Sequence, residues 1–162
     1  MRPRTTRPAH GFTLIELAVT VAIIGLLAAI AVPTVELAQQ RNREQELRLV
    51  LREMRKAIDA YKQAYDEGRI VKTVGDSGYP PSLAVLAEGV SDASRADKVK
   101  MYFLRRIPRD PLAAESDDAP EQSWGLRSYA SEPDDPAPGA DVFDVYSKAG
   151  GVALNGVPYR QW

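Results

Sequence analysis

The stretch GFTLIELAVTVAIIGLLAAIAV, residues 11–32, decides the fold of this chain. Between Phe12 and Val32 it carries one charge, that of Glu16, and the next charged residue is Glu36. At about 1.5 Å per helical residue, this run covers the roughly 30 Å hydrocarbon core of a bilayer. The sequence therefore predicts a transmembrane helix with a carboxylate close to its start.

The residues around the apolar run indicate its orientation. Three arginines precede it and no acidic residue does: Arg2, Arg4 and Arg7. By the positive-inside rule, the amino terminus is expected in the cytoplasm and the rest of the chain on the other side of the membrane, anchored by a single pass. A signal peptide would have a shorter apolar region and a small-residue cleavage site. Signal-peptide cleavage at the small-residue stretch that contains Ala28, Ala29 and Ala31 is the alternative to a retained anchor.

The carboxylate of Glu16 needs an explanation, because a charge at the centre of a membrane helix costs about 2.5–3.5 kcal/mol and less near an end. Glu16 is either a residue at the end of a simple membrane anchor, without a function of its own, or a residue with a specific function. The string GFTLIE, residues 11–16, resembles the processing site of type IV prepilins and type II secretion pseudopilins. The resemblance implies a basic leader over residues 1–11, cleavage between Gly11 and Phe12, and N-methylation of Phe12 by the same membrane peptidase.

Cleavage at this point would create an ammonium on Phe12, about one helical turn from Glu16. Opposite charges attract strongly in a medium of low dielectric constant. The resemblance implies that this pair forms between neighbouring subunits and sets their axial register in a filament. In the assembly helix, residues 12–33, Pro33 lacks an amide hydrogen and predicts a kink or local melting. A simple helix boundary at the membrane surface is the alternative at Pro33.

The remaining sequence predicts an α+β fold of the pilin-like kind: a long N-terminal helix, half transmembrane and half amphipathic, packed on a small C-terminal antiparallel sheet. The amphipathic half is expected over residues 34–68, ending at Gly68. Its apolar stripe recurs at steps of three and four residues: Leu47, Leu51, Met54, Ile58, Tyr61 and Tyr65. Such a stripe is expected to pack on the sheet of the same chain, with a coiled-coil partner as the alternative.

Residues 69–123 predict a connecting region with short helices. One is expected within residues 79–89 and a second over residues 92–107, where Pro108 would stop it. Within this region, MYFLRRIPRDPL, residues 101–112, resembles the major pseudopilins, the general secretion pathway protein G family. This second resemblance favours secretion over a pilus.

Residues 124–162 predict the small antiparallel sheet and a C-terminal tail. β-Favouring side chains indicate strands at residues 124–129 and 142–147, with a last extended piece around residues 157–160. The Pro- and Asp-rich stretch 132–141 between them is expected to form a loop.

Catalysis and metal binding receive little support. The chain has no cysteine, and its one histidine, His10, lies in the leader. A processed chain would therefore lack the residues of Ser-His-Asp, Cys-His and His-ligated zinc sites, and it is expected not to be an enzyme. Resemblance to major pseudopilins implies calcium near the C-terminal end, where Asp141, Asp144 and Asn155 offer oxygens. The loop 148–156 has no carboxylate, so no cofactor is predicted and calcium stays open.

The resemblance implies a structural subunit of the periplasmic pseudopilus of a type II secretion system, which drives export of folded exoproteins. The implied partners are further copies of the chain, minor pseudopilins, the prepilin peptidase/N-methyltransferase and the inner-membrane assembly platform. A net charge of −1 gives no reason to expect nucleic acid. The alternatives are a major or minor type IV pilin, for adhesion, motility or DNA uptake, and an anchored periplasmic binding module that never polymerises.

Overall fold

The computed structural model describes residues 11–97, 99–114 and 116–162, without the side chains of residues 30–33. The predicted leader therefore lies outside the described residues except for Gly11. The chain divides into two compact units, Met1–Gln40 and Arg41–Trp162. The first helix, α1, spans Leu14–Asp66 and contributes to both units.

The described part of the first unit is helix α1 with an apolar, exposed surface. Large apolar side chains along it are about half or more exposed, for example Leu14 at 86% and Ile24 at 65%. Among the described residues, α1 is the one helix long and apolar enough to cross a membrane. Pro33 lies inside its bounds, so the alternative that α1 ends there is wrong. The kink at Pro33 stays a prediction.

The second unit, the head, is built on the apolar stripe of α1. Five of the six predicted stripe residues are buried and Tyr65 is half-buried: Leu47, Leu51, Met54, Ile58 and Tyr61 are the buried ones. They join one hydrophobic core with Trp124 of the first C-terminal strand, Val145 of the second and Val142, which lies just before the second. The prediction that the stripe packs on the sheet of the same chain is confirmed. α1 ends before Gly68, whose φ of 74° suits a glycine.

The connecting region contains one short α-helix and one small ribbon. Helix α2 spans Leu83–Glu88, inside the predicted range, and is followed by Gly89. The two-residue strands β1, Val90–Ser91, and β2, Lys100–Met101, pair antiparallel.

The helix predicted over residues 92–107 is wrong, because that backbone bonds elsewhere. The Asp92 amide donates to the carbonyl of Val99, and the amides of Phe103 and Leu104 donate to the carbonyl of Leu86. The Asp92 carboxylate in turn accepts from the Ser94 amide at 3.0 Å, which favours a turn over a helix.

The C-terminal region forms the predicted small sheet, with shorter strands. A 3₁₀ turn at Pro120–Ser123 leads into β3, Trp124–Arg127, which pairs antiparallel with β4, Asp144–Ser147. In this pair Gly125 lies opposite Tyr146, and a Cβ at Gly125 would come within 2.2 Å of the Tyr146 ring. The extended piece predicted at residues 157–160 is wrong in part. Only Pro158 bridges Val152, and Tyr159–Gln161 is a second 3₁₀ turn.

Candidate assembly site at the amino-terminal helix

The predicted cleavage point lies just before α1. Gly11 and Phe12 precede the helix, and both are exposed, Phe12 at 81%. A Cβ added at Gly11 would meet no atom of the residues that the structure describes within 4 Å. The Gly11–Phe12 peptide bond is therefore open to approach from outside the chain.

Glu16 lies in the first turn of α1, which Thr13 caps. The Glu16 amide donates to the Thr13 Oγ1 at 3.3 Å, and the Leu17 amide donates to the Thr13 carbonyl at 3.1 Å. A threonine followed three residues later by a glutamate is the sequence pattern of a capping box. Negative charge at this end of a helix is also stabilised by the helix dipole. Thr13 is not among the site residues predicted from the sequence, although its spacing to Glu16 indicates a helix cap.

The surroundings of Glu16 are apolar and exposed. Phe12, Ile15 and Leu17 are between 60% and 81% exposed, so the carboxylate lies within a surface of large apolar side chains. A membrane or a neighbouring helix that covers this surface would also cover the carboxylate. In such a medium a carboxylate is stable when it has a cationic partner.

The head is fastened to α1 by two carboxylate contacts. Glu44 of α1 is buried, and its Oε1 accepts from the Tyr159 hydroxyl and the Leu154 amide, each at 2.9 Å. Arg55 of α1 donates through Nε to Asp144 Oδ1 at 2.7 Å. Both contacts join α1 to segments about a hundred residues further along the chain, so the helix carries the C-terminal region of the head.

The three candidate calcium ligands are engaged with separate partners. Asp144 binds Arg55, while Asp141 accepts from the Ser128 hydroxyl at 2.7 Å and the Tyr129 amide at 2.8 Å. Asn155 Oδ1 accepts from the Val157 amide at 3.1 Å. Within the described ranges, no group of three or more His, Cys, Asp or Glu side chains is placed to hold a metal ion.

Hydrogen bonding controls the pKa of Asp141. Burial alone would raise the pKa of this carboxyl, yet bonds from the Ser77 hydroxyl, the Tyr129 amide and the Ser128 hydroxyl hold the pKa below its usual value. The charge of Asp141 is thus satisfied by the protein's own donors.

Trp162, the last residue of the predicted tail, packs on the head. Its ring lies 5.5 Å from the ring of Tyr159, and the Arg48 guanidinium lies 4.4 Å from its centroid. Its main-chain oxygen accepts from Arg55 Nη2 at 2.6 Å. The tail is therefore fixed against α1 by stacking and by a charged hydrogen bond.

Comparison with known proteins agrees with this arrangement. Residues 6–32 match the family model of the prokaryotic N-terminal methylation motif. The type II secretion system core protein G of Klebsiella pneumoniae is 28% identical over 110 residues, 65% of this chain and 71% of that protein. Its counterpart in Klebsiella michiganensis is 25% identical over 136 residues, 82% of this chain and 88% of that protein.

A pilus protein is also similar. The type IV narrow pilus major component PilA5 of Thermus thermophilus is 39% identical over 80 residues, 49% of this chain and 59% of that protein. No solved structure is a significant match. The methylation motif, the long helix with its small antiparallel sheets and the secretion relatives together confirm the resemblance seen in the sequence. The motif match and these relatives support a pseudopilin of the type II secretion core protein G type.

Proposed function

We propose that this chain is a structural subunit of the periplasmic pseudopilus of a type II secretion system. The observation that carries the proposal is the methylation motif at residues 6–32, continuous with an exposed apolar helix. The relatives named core protein G extend over most of the chain, head included. The subunit acts by assembling into a filament that moves folded exoproteins toward the outer membrane.

Processing of the amino terminus is the first step of this function. The peptidase cuts between Gly11 and Phe12 and methylates the Phe12 amine. The exposure of both residues supports this proposal, because the peptide bond is accessible without unfolding any described element. The cut removes the basic leader, residues 1–11, and leaves the apolar helix with a cationic end.

Glu16 then acts as the assembly residue. Its carboxylate binds the Phe12 ammonium of a neighbouring subunit when the membrane helices stack. The cost of burying either charge alone makes an unpaired register unfavourable, so the pair selects one axial offset between subunits. Pro33 contributes to assembly by allowing α1 to bend where the helix leaves the membrane.

The topology and partners follow from the same proposal. The amino terminus begins in the cytoplasm, the helix spans the inner membrane, and the head lies in the periplasm. The partners are further copies of the chain, minor pseudopilins, the prepilin peptidase/N-methyltransferase and the assembly platform. The function is structural, and the chain is a substrate of an enzyme rather than an enzyme.

The head is proposed to fold without a metal cofactor. The Arg55 guanidinium already supplies the positive charge beside Asp144, and Lys148 donates to the Gln122 carbonyl at 2.9 Å. Millimolar calcium is therefore expected to leave the Tm of the purified chain unchanged. A rise in Tm with calcium, absent with magnesium, would show that calcium binds the head.

Deletion of the gene in its own host tests the proposed function. The culture-supernatant proteome, the periplasmic proteome and surface-sheared filaments are compared with those of the parent strain. Exoproteins trapped in the periplasm, with pili unchanged, are expected. Normal secretion with loss of pili, twitching or DNA uptake would instead assign the chain to a type IV pilus, the alternative that the pilus relative supports.

Replacement of Glu16 by Ala separates both filament functions from an anchored binding module. A filament subunit is expected to stop assembling, whereas a lone anchor would work as before. Glu36→Ala is the matched control, because Glu36 is an exposed carboxylate on the same helix beyond the uncharged run. Equal behaviour of the two variants would contradict a role for Glu16 in assembly.

A further inference from the structure

One groove on the head combines cationic and aromatic walls. It lies between α1 and the C-terminal tail, and the residues that line it include Arg48, Leu51, Arg52, Asn155, Val157 and Trp162. Its apolar lining residues include Leu51 and Val157, and Trp162 adds an indole ring. The groove lies entirely within the second unit of the chain.

The arginines that line this groove differ in the partners that their guanidinium groups contact. Arg55, at one end, is neutralised by Asp144, and Arg48 stacks on Trp162. Arg52 is exposed and has no hydrogen-bond or ion-pair partner among the residues that the structure describes. Because Arg48 and Arg52 are four residues apart on one helix face, they repel each other. An anionic occupant would relieve that repulsion and bind the free guanidinium.

The same head carries an acidic, proline-containing loop whose charge is opposite to that of the groove. The loop EPDD, residues 132–135, is exposed throughout, and Pro133 and Pro136 restrict its backbone. Asp134 has no hydrogen-bond or ion-pair partner within the described ranges, while Asp135 is 3.8 Å from Arg160. A proline-restricted loop loses little conformational entropy on binding, and prolines pack well on aromatic rings.

We propose that the groove binds the acidic loop, residues 132–135, of a second copy of the chain. Asp134 pairs with Arg52 in this contact, and a proline of the loop packs against Trp162. The groove and the loop are different surfaces of one head, so the contact is heterologous and can repeat along an open helical assembly. The inference rests on the proposed function, since a filament is what brings many heads side by side.

Site-directed cross-linking tests the contact in the full chain. The chain has no cysteine, so single cysteines can be placed without removing any. One tagged copy carries Arg52→Cys and a second, differently tagged copy carries Asp134→Cys, and both are expressed with the secretion system in the host. A short thiol-reactive cross-linker is used, because an Arg–carboxylate contact holds two backbones farther apart than a disulfide spans.

A cross-linked pair that carries both tags is the expected result. Asp117→Cys replaces Asp134→Cys in the matched control, because Asp117 is an exposed carboxylate in another loop. A yield with Asp134→Cys no greater than with Asp117→Cys, in cells that form filaments, would overturn the inference and leave the proposed function standing. Absence of filaments from the unmodified chain would reject the proposed function, and this inference with it.

Charge reversal gives a second measurement that does not depend on cysteine cross-linking. Arg52→Glu alone and Asp134→Arg alone are each expected to reduce the yield of filaments several-fold. The two changes in one chain restore the pair with its charges exchanged and are expected to recover most of that yield. Arg43→Glu, on the same helix outside the groove, serves as control. Absence of recovery in the double variant would overturn the pairing, including the case in which another protein's acidic segment fills the groove.

Discussion

Arg55 of α1 holds Asp144 of β4 across 89 residues of sequence, with Nε 2.7 Å from Oδ1. The same guanidinium donates through Nη2 to the carbonyl of Val145 at 3.2 Å and to the main-chain oxygen of Trp162 at 2.6 Å. One side chain thus ties the helix to the sheet and to the tail. These hydrogen bonds hold β4 and the C-terminal tail against the part of α1 that belongs to the head.

Replacement of Arg55 by Met is expected to destabilise the head. The variant keeps the apolar stem and loses every hydrogen bond, and Asp144 is left without its cation. Because the Arg55 and Asp144 side chains are 38% and 28% exposed, solvent screens the pair, and we expect a loss of about 1–2 kcal/mol. Denaturant unfolding of the detergent-solubilised chain measures it. Arg43→Met is the control, and equal stability of the two variants would contradict the fastening.

The apolar stripe predicts different losses of stability when either of two leucines, two residues apart, is replaced by Ala. Leu47 is 0% exposed and Leu49 is 60% exposed. Leu47→Ala is expected to cost about 2–5 kcal/mol, because it removes buried contacts and leaves a cavity. Leu49→Ala is expected to stay within about 0.5 kcal/mol of the parent. Thermal unfolding followed by circular dichroism compares them, and a similar Tm for both would show that the core lies elsewhere.

Gly125 is required by the close approach of the Tyr146 ring. A methyl group at Gly125 would lie within 2.2 Å of that ring, so Gly125→Ala is expected to destabilise the head by about 1–3 kcal/mol. Gly150→Ala is the control, because no atom of the described part of the chain lies within 4 Å of a Cβ there. The double variant Gly125→Ala with Tyr146→Ala removes the clash. Failure of Tyr146→Ala to reduce the effect of Gly125→Ala would contradict this explanation.

The pH dependence of stability is expected to include a contribution from Asp92. Hydrogen bonds from Ser94 and from Arg69 lower the pKa of Asp92 to about 2, from 3.8. A carboxyl whose pKa is lower in the folded state stabilises the fold above its unfolded pKa. This contribution is therefore complete above about pH 4 and lost as the pH falls toward 2. Unfolding measured at several pH values should show a shallower loss in Asp92→Asn, and an unchanged slope would exclude the role of Asp92.

Local patterns in the sequence predicted the helix, the stripe and the two C-terminal strands, because these features depend on periodicity and on β-favouring side chains. They failed where distant backbone partners decide the structure. The apolar residues within 92–107 have the spacing of a helix. The amides of Phe103 and Leu104 nevertheless donate to the carbonyl of Leu86, so they are not available for helical hydrogen bonds. The contact of Glu44 with Tyr159 spans 115 residues, and no local pattern indicates it.

In the candidate assembly site, too, only the local features were predictable. Gly11, Phe12 and Glu16 form a short motif, which is visible in the sequence without knowledge of the fold. Thr13 was also readable, as the first residue of a capping box, but its role was visible only once α1 was seen to begin at Leu14. The basic groove beside Trp162 could not be predicted, because it joins α1 to a tail more than a hundred residues away.

Processing between Gly11 and Phe12 is expected to come before assembly. Mass spectrometry of the amino-terminal peptide, from chain purified out of the host membrane, measures this processing. The expected peptide begins at Phe12 and carries one added methyl group. A strain without the prepilin peptidase is expected to contain the uncut chain. An intact Met1 in the parent strain, or a new amino terminus within the small-residue stretch at residues 28–32, would exclude processing at Gly11.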